Sequence, residues 1–355
     1  MGKALYEESL ENETQLQIAS MYDKQEDAWQ NPYFPTEIFT GYGVKKLQFI
    51  NGMVSAGIGC DTIIVSHINL LPVTWFIKNA SPQTKIILLA HGIEIWYPLS
   101  AVKRKLLNKC DLILAVSRFT KNKIVEVHGV KKEKCEVLNN CLDPFLPLPS
   151  LNKKSENLFK KYSFEPTDKI IMTLTRLSSK ERYKGYDKVI EAVALLKANF
   201  SGIKYLIAGF YDSEEKAFVD GLIEKLGLQD TVVMPGFIDD EELEDHFAMS
   251  DVYVMPSRKE GFGIVFIEAM YYGLPVIAGN IDGSADALLD SKIGQLVNPD
   301  SVTEIASAIS NVFQNKSAFT PDRKLLLQNF SYEVYKEKLA QKTLQQGTYH
   351  LQPNT

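Results

Sequence analysis

Two acidic side chains and two glycines lie within residues 260–268 of the segment DVYVMPSRKEGFGIVFIEAMYYGLPVIAG, residues 251–279. The apolar residues before Pro256 predict a buried strand, and IVFIEAMYYG predicts a helix that ends at Gly273. The polar loop between them contains Gly261 and Gly263. Such a loop directs backbone N–H groups and the positive end of the helix dipole toward a ligand. The segment therefore predicts a binding site for an anion such as phosphate.

Glu260 in this loop and Glu268 in the helix have seven residues between them. Glu268 falls about one turn beyond the end of the helix that faces the loop, so both carboxylates can face one crevice. Beside a bound phosphate, a carboxylate is expected to accept hydrogen bonds from neutral hydroxyls, as on a ribose or a sugar ring. In the alternative interpretation, both residues are solvated surface glutamates.

The pattern S-R-K-E-G-F-G-x-x-x-x-E-A-M-x-x-G-x-P-V-I-A resembles the signature of the retaining nucleotide-sugar glycosyltransferases of family 4. The resemblance covers roughly residues 3–346 and is stronger after residue 169. It implies an α/β fold of the GT-B type, with two doubly wound Rossmann-like domains facing a cleft. It also implies that Glu268 holds ribose hydroxyls and that Glu260 contacts the transferred sugar. The phosphates or the sugar would be held by the loop residues Gly261, Phe262, Gly263 and Ile264.

Two cations follow the first predicted strand of the second half of the chain. Thr175-Arg176-Leu177 and Lys184-Gly185 are similar to the family's G-R-L…K-G motif, whose arginine and lysine bind the donor diphosphate. The leaving phosphates gain negative charge as the glycosidic bond breaks, so two fixed cations stabilise the transition state most. Thr175 replaces the usual glycine, which makes the backbone approach tighter. In the alternative interpretation, Arg176 and Lys184 are solvated surface cations.

Two further segments carry residues that the resemblance places in the site. Phe237 and Ile238 match a family segment whose backbone recognises the nucleotide base, although P-G-F alone is only a turn. His91 follows the predicted strand KIILLA, at the edge where ligands of such sheets bind. The sequence H-G-I-E-x-W looks like the family's acceptor-side motif, in which the histidine reaches the donor sugar. Isolated histidines are otherwise commonly structural, and Glu94 is a secondary candidate.

Strands alternate with helices along the whole chain, which predicts parallel sheets covered on both faces. The 355 residues, with 45% hydrophobic and 23% charged side chains, are sufficient for two globular domains. We predict an N-terminal acceptor-side domain over 1–150 and a nucleotide-sugar donor domain over 165–325. A proline-rich connection is predicted within 143–169. A final amphipathic helix over 330–346, within the segment 326–346, would return to the N-terminal domain, as the resemblance implies.

The beginning of the chain departs from the family pattern. Residues 3–11 predict the end of a helix and residues 15–21 predict a strand, whereas such domains open with a strand and a glycine-rich turn. We infer that the chain starts inside the first helix, either because Met1 is internal to a longer protein or because the protein is naturally short. Alternatively, a divergent family member has replaced the first strand.

Charge and cysteine content restrict the partners and the compartment. The net charge of −5 argues against general nucleic-acid binding. Four cysteines without metal or disulfide spacing, and no signal peptide or membrane span, predict a cytoplasmic protein whose thiols are reduced and mostly buried.

Residues 102–134 contain ten basic and three acidic side chains. This basic segment either contacts an anionic membrane surface or a lipid-pyrophosphate acceptor, or is a solvated helix face.

The sequence therefore predicts a retaining, hexosyltransferase-type glycosyltransferase. It would transfer a sugar from a nucleotide diphosphate sugar to a glycan or lipid-linked glycan, as in cell-envelope polysaccharide synthesis. The expected catalytic residues are Glu260, His91, Arg176 and Lys184. No carboxylate is placed as a nucleophile like those of glycosidases, so the departing diphosphate is expected to take the acceptor proton. No metal or other cofactor is expected, because two cations already oppose the diphosphate charge and no DxD pair lies beside them.

Two other functions fit the same residues. One is a non-catalytic nucleotide-sugar-binding protein or an inactive partner subunit. The other is a phosphorylase-like enzyme of the same fold, which needs a lysine-bound pyridoxal phosphate.

Overall fold

The computed structural model describes residues 1–149 and 155–344. The chain divides into two compact units. The first contains residues 1–116, 120–138 and 332–344, and the second contains residues 117–119, 139–149 and 155–331. Residues 150–154 of the predicted connection and residues 345 and 346 of the predicted final helix lie outside the described residues.

The first part of the chain alternates helices and short strands up to residue 137. In order, these elements are α1 (Gly2–Glu11), β1 (Ile18–Ser20), β2 (Phe39–Gly41), α2 (Lys46–Gly57), β3 (Thr62–Val65), α3 (Leu71–Ala80), β4 (Lys85–Ala90), α4 (Ala101–Lys109), β5 (Leu112–Ala115), α5 (Arg118–His128) and β6 (Cys135–Val137). Strands β3, β4, β5 and β6 form a parallel sheet in that order, and β1 pairs in parallel with β2.

The second unit has the same alternation around a larger sheet. Its elements are α6 (Glu156–Tyr162), β7 (Lys169–Leu174), α7 (Tyr186–Leu196), β8 (Ile203–Ala208), α8 (Ser213–Leu226), β9 (Val232–Gly236), α9 (Asp240–Met249), β10 (Val252–Met255), α10 (Ile264–Tyr271), β11 (Val276–Gly279), α11 (Ser284–Ala287), β12 (Gln295–Val297), α12 (Val302–Gln314), α13 (Lys316–Phe319) and α14 (Arg323–Phe330). The sheet order is β12-β11-β10-β7-β8-β9, and the paired strands are parallel.

The central strands are apolar because both faces of the sheet are covered. Every residue of β10 is buried, as are the four central residues of β7. Helix α7 places Val189 and Val193 in the core, and α12 adds Ile305 and Ile309. The prediction of α/β units built on parallel sheets is therefore confirmed.

The order of the strands in the second unit reverses between β7 and β10. From β7 the chain adds β8 and β9 on one side, and it then returns to add β10, β11 and β12 on the other. The connections that leave two such neighbouring strands diverge to opposite faces of the sheet. A crevice therefore opens at their carboxyl ends, where open α/β sheets bind ligands.

The end of the chain differs from the prediction of one helix starting at Phe330. Phe330 instead ends α14, and Ser331 is extended, with φ −67° and ψ 158°. The ring of Phe330 is buried against Phe262, with the centroids 5.5 Å apart. A new helix, α15 (Tyr332–Leu344), follows and belongs to the first unit. There, the Tyr332 hydroxyl donates to Glu7 Oε2 at 2.9 Å.

The expectation of mostly buried thiols is wrong for one cysteine. Cys110 and Cys135 are buried, but Cys60 is exposed, directly after α2, and Cys141 is intermediate. Burial raises the pKa of Cys110 to about 12 and that of Cys135 to about 11, so both stay protonated near neutral pH. Among the residues that the structure describes, no helix has both the length and the apolar character needed to cross a membrane.

Candidate functional site

Two loops form the edge of the second unit where β7 and β10 end. The loop after β7 spans residues 175–185, and the loop after β10 spans residues 256–263. The Arg258 N–H donates to the Tyr183 carbonyl at 2.9 Å. Gly185 has a φ of +81°, and a Cβ at this position would collide with the Pro256 carbonyl oxygen. Glycine is therefore required where the loops meet, and the two loops form one surface.

Lys184 and Glu260 are brought together across these loops. Lys184 Nζ lies 2.5 Å from Glu260 Oε2, and the two side chains are only 17% and 16% exposed. They are 76 positions apart in the sequence. The structure therefore contradicts the alternative in which these two residues are solvated surface charges. An ion pair so withdrawn from water is screened less than an exposed pair.

Arg176 is paired with an acid that the sequence analysis did not assign. Its Nε donates to Glu181 Oε2 at 2.8 Å and its Nη2 to Glu181 Oε1 at 2.5 Å, a bidentate arrangement. These hydrogen bonds lower the pKa of Glu181, which is therefore a carboxylate at neutral pH. Arg176 itself remains 71% exposed. The signal in the sequence was an acid five residues after the arginine, within the polar segment SSKERYK.

The loop that follows β11 forms hydrogen bonds with the backbone of Glu260. Asp282 accepts the Glu260 N–H at 2.7 Å through Oδ2 and the Ser284 N–H at 2.9 Å through Oδ1. The Gly283 N–H donates to the Glu260 carbonyl at 2.8 Å. Burial is the main cause that raises the pKa of Asp282 to about 6. Asp282 and Gly283 thus fix the backbone position of Glu260.

Helix α10 begins at the same edge. Gly263, with a φ of +86°, precedes its first residue, Ile264. The first N–H groups of a helix have no acceptor within the helix, so the amides around Gly263 and Ile264 are available to an anion. Phe262 is buried and anchors this turn in the core. Phosphate or sugar binding by Gly261, Phe262, Gly263 and Ile264 stays a prediction, and the position of these residues at the start of α10 is the geometry that it requires.

Glu268 lies further along α10 and is largely withdrawn from solvent. Its pKa is raised to about 7, first by burial and then by the charges of Asp143 and Asp240. Glu268 is therefore not a solvated surface glutamate. Hydroxyl groups that donate hydrogen bonds to a buried carboxyl group stabilise its charged form.

The predicted base-contact segment follows β9 at the same edge. Gly236, the last residue of the strand, has a φ of +84°. Ile238 is buried, whereas the Phe237 side chain is exposed. Ile238 therefore anchors the turn, whereas the Phe237 side chain faces solvent.

His91 belongs to the first unit and follows β4. Its Nε2 lies 2.9 Å from the Ser66 carbonyl oxygen, which can only accept, so the neutral ring presents Nδ1 as its acceptor. Glu94 Oε1 accepts the backbone N–H groups of His91 at 2.6 Å and of Gly92 at 3.1 Å. Glu94 therefore shapes the loop. Trp96 is buried, as expected of a packing residue.

The basic segment 102–134 has a mixed character. Lys134 Nζ donates to the Cys110 carbonyl at 2.9 Å, and Lys103 Nζ donates to Asn69 Oδ1 at 2.6 Å. Arg104 and Lys105 are exposed. Part of this charge therefore has a structural role, and part of it faces solvent.

Parallel α/β units with cations and helix amides at the switch point of one sheet are typical of proteins that bind nucleotides or other phosphorylated ligands. Residues 154–331, half of the chain, match the model of the family Glycosyl transferases group 1. Residues 49–144 match the model of Glycosyltransferase Family 4. The chain belongs to the glycosyl transferases of group 1.

Relatives and solved structures agree with this assignment. A GDP-mannose-dependent alpha-(1-6)-phosphatidylinositol monomannoside mannosyltransferase of Mycobacterium tuberculosis is 28% identical over 247 residues, which cover 64% of this chain and 60% of that protein. This chain thus matches about three fifths of the length of that curated relative.

Two crystal structures are similar over nearly the whole chain. A glycosyltransferase from Rickettsia africae has a TM-score of 0.80 at 20% identity, covering 97% of this chain and 93% of that one. HepE from Anabaena, in complex with UDP-glucose, has a TM-score of 0.78 at 19% identity, covering 97% and 96%. At these identities the structures establish the fold, and they confirm the predicted GT-B type.

Proposed function

We propose that this protein is a retaining glycosyltransferase that transfers a hexose from a nucleotide diphosphate sugar to a glycan or lipid-linked glycan in the cytoplasm. The observation that carries the proposal is the Lys184–Glu260 pair at the carboxyl ends of β7 and β10, with Nζ and Oε2 2.5 Å apart. A diphosphate needs a cation and a sugar ring needs a hydroxyl acceptor. This pair supplies both at one point.

The surrounding groups fit the rest of such a donor. Arg176 and the amides that begin α10 supply further positive potential for the phosphates. Glu268 offers a carboxylate for the ribose hydroxyls. Similar proteins support a donor of this class, since one relative is GDP-mannose-dependent and one solved structure holds UDP-glucose.

In the proposed reaction, the bond between the anomeric carbon and the diphosphate oxygen breaks while the acceptor oxygen bonds to that carbon from the same face. The proton of the acceptor hydroxyl passes to the departing diphosphate. Lys184 and Arg176 stabilise the charge that develops on the leaving group. Glu260 accepts a hydrogen bond from the transferred sugar, and His91 Nδ1 is proposed as a second acceptor for it. Retention rests on the resemblance of the 257–278 signature.

The proposal requires no divalent metal, because the two cations oppose the diphosphate charge. It also places the exposed part of the basic segment 102–134 against an anionic membrane surface or a lipid-pyrophosphate acceptor. Turnover that persists in excess EDTA would support the first point. Co-sedimentation with vesicles rich in anionic lipid, lost at high salt, would support the second.

The test is a transfer assay with the whole chain. UDP-, GDP- and ADP-hexoses are supplied with candidate glycan and polyprenyl-pyrophosphate-linked acceptors, and release of the nucleoside diphosphate is followed. Proton NMR of the first product establishes the anomeric configuration. Transfer with an unchanged anomer supports the proposal, and an inverted product overturns retention. Binding of a nucleoside diphosphate by calorimetry, with neither transfer nor hydrolysis, would identify a non-catalytic binding protein instead.

A further inference from the structure

Two phenylalanine rings stand exposed and stacked on each other in the second unit. Phe210 is 66% exposed and Phe237 is 55% exposed. Their ring centroids lie 4.6 Å apart and the ring planes differ by 20°. Each ring covers one face of the other, and the remaining apolar surface of both rings is exposed to water. A large exposed aromatic surface of this kind is typical of a binding site.

The backbone holds both rings at a fixed position. Phe210 comes two residues after β8, and Phe237 comes directly after β9. The Gly209 N–H donates to the Gly236 carbonyl at 2.7 Å. Gly209 has a φ of +131°, and a Cβ there would collide with the Thr175 carbonyl oxygen. The aromatic pair therefore stands on a tightly packed sheet edge.

The aromatic pair borders the loop that carries the predicted phosphate cations. The Leu177 N–H donates to the Phe210 carbonyl at 2.8 Å. Leu177 directly follows Arg176, and β7 and β8 are neighbours in the sheet. One edge of the sheet thus presents positive charge after β7 and flat aromatic surface after β8 and β9. A ligand that complements both combines phosphate groups with a planar ring.

We infer that Phe210 and Phe237 form a stacking wall for the nucleobase of the donor. The inference rests on the proposed function, which assigns base recognition to the backbone around Phe237 and Ile238. It adds the two side chains, and above all Phe210, which neither the family signature nor the base-contact segment includes. Since every base has a π face, the wall contributes affinity with little preference among bases, and the backbone groups select the base.

Calorimetry with two classes of probe tests the wall. UDP, GDP and ADP identify the nucleoside diphosphate that binds best, and inorganic pyrophosphate is the probe without a base. Phe210→Ala is expected to weaken the preferred nucleoside diphosphate about five- to hundredfold and to leave pyrophosphate unchanged. Phe210→Leu keeps apolar volume without a π face and is expected to lose affinity as well. Phe210→Tyr keeps the ring and should bind like the wild type.

Tyr211 provides the matched control. It is the next residue, it is also exposed, and its ring lies 6.0 Å from Lys216 Nζ. The ring borders the turn at Gly236, since its Cε1 would lie 4.0 Å from a Cβ at that glycine, but it is not part of the stacked pair. Tyr211→Ala is therefore expected to weaken nucleotide binding much less than Phe210→Ala does. Equal losses in Tyr211→Ala and Phe210→Ala would overturn the wall, since they would reflect a general change in the loop.

The outcomes separate this inference from the proposed function. If Phe210→Ala and Phe237→Ala bind the nucleoside diphosphate as tightly as the wild type does, the stacking wall is wrong and the proposed donor site is unaffected. Binding of pyrophosphate without any nucleoside diphosphate by the wild type overturns both the wall and the assignment of a nucleotide donor. A loss confined to the nucleoside diphosphate supports the wall. Thermal unfolding of each variant shows whether the surface substitutions leave the fold intact.

Discussion

Lys184 Nζ lies 2.5 Å from Glu260 Oε2, so each of these two side chains is the counter-ion of the other. A bound diphosphate would compete with Glu260 for the lysine. The Glu260→Gln variant keeps the shape of the side chain and removes that competing charge. We expect it to bind a nucleoside diphosphate about fivefold more tightly, the effect of roughly 1 kcal/mol. We expect transfer to fall at least about a hundredfold, because the sugar loses a charged acceptor.

Lys184→Met is the matched variant and should act in the opposite direction on binding. It removes the cation and leaves Glu260 as a partly buried charge, so diphosphate affinity should fall about ten- to hundredfold. Calorimetry and initial rates of donor consumption measure the two effects. Turnover within twofold of the wild type in either variant would be incompatible with the proposed site.

Glu181 binds Arg176 through two hydrogen bonds, of 2.8 Å and 2.5 Å. A carboxylate beside a diphosphate opposes its binding, and the lowered pKa of Glu181 keeps that charge in place at neutral pH. Glu181→Gln should therefore tighten nucleoside diphosphate binding several-fold. Arg176→Gln should weaken it. Weaker binding in Glu181→Gln would mean instead that the carboxylate orients the guanidinium for the phosphate.

The sequence pattern was sufficient to predict those elements whose structure depends on local residues. The strands Lys85–Ala90 and Val252–Met255 lie where their apolar pattern predicts. The short strand Phe39–Gly41 was missed, since three residues offer no periodicity. The helix predicted from Phe330 was misplaced, because the burial of that side chain against Phe262 is a long-range contact.

The sequence motifs identified the residues of the site, but they did not indicate which of these residues form pairs. Nothing local indicates that Lys184 meets Glu260, since the contact depends on β7 and β10 being neighbours in the sheet. Glu181 was missed for a different reason. Its role comes from the direction of a side chain within a loop, which residue spacing does not determine. Phe210 and Phe237 likewise meet only because β8 pairs with β9.

Gly185 is expected to be intolerant of substitution. Its φ of +81° is unfavourable for other residues, and an added Cβ would collide with the Pro256 carbonyl. Gly185→Ala should lower the free energy of unfolding by about 2 kcal/mol or more. It should also weaken diphosphate binding, because Lys184 is the preceding residue. Urea unfolding and calorimetry measure the two effects.

Gly221→Ala is the control for that substitution. Gly221 lies inside α8, and a Cβ there meets no atom within 4 Å. The exchange should raise stability by about 0.5–1 kcal/mol through helix propensity and leave diphosphate affinity unchanged. If the two alanine variants had the same stability, the packing of the loops around Gly185 would not constrain that position.

Glu268 should make donor binding depend on pH. Its pKa in the folded protein is raised to about 7, chiefly by burial and further by Asp143 and Asp240. Folding thus favours the protonated form, and the free energy of unfolding should fall as the pH rises from the ordinary pKa of 4.5 through about 7. Ribose hydroxyls that donate to the carboxylate favour the ionised form, so nucleoside diphosphate binding should tighten over the same rise.

The contribution of Glu268 can be separated from the titration of the ligand. Below pH 7 its protonation should weaken binding by up to about tenfold per pH unit, since one unit of pKa corresponds to about 1.4 kcal/mol. The terminal phosphate of the ligand titrates nearby and adds its own pH dependence. Glu268→Gln retains the phosphate contribution and cannot titrate at this position. The ratio of the two dissociation constants, measured from pH 5.5 to 8.5, should therefore change with a midpoint near 7. A ratio that is constant across this range would show that the carboxylate form of Glu268 does not take part in binding.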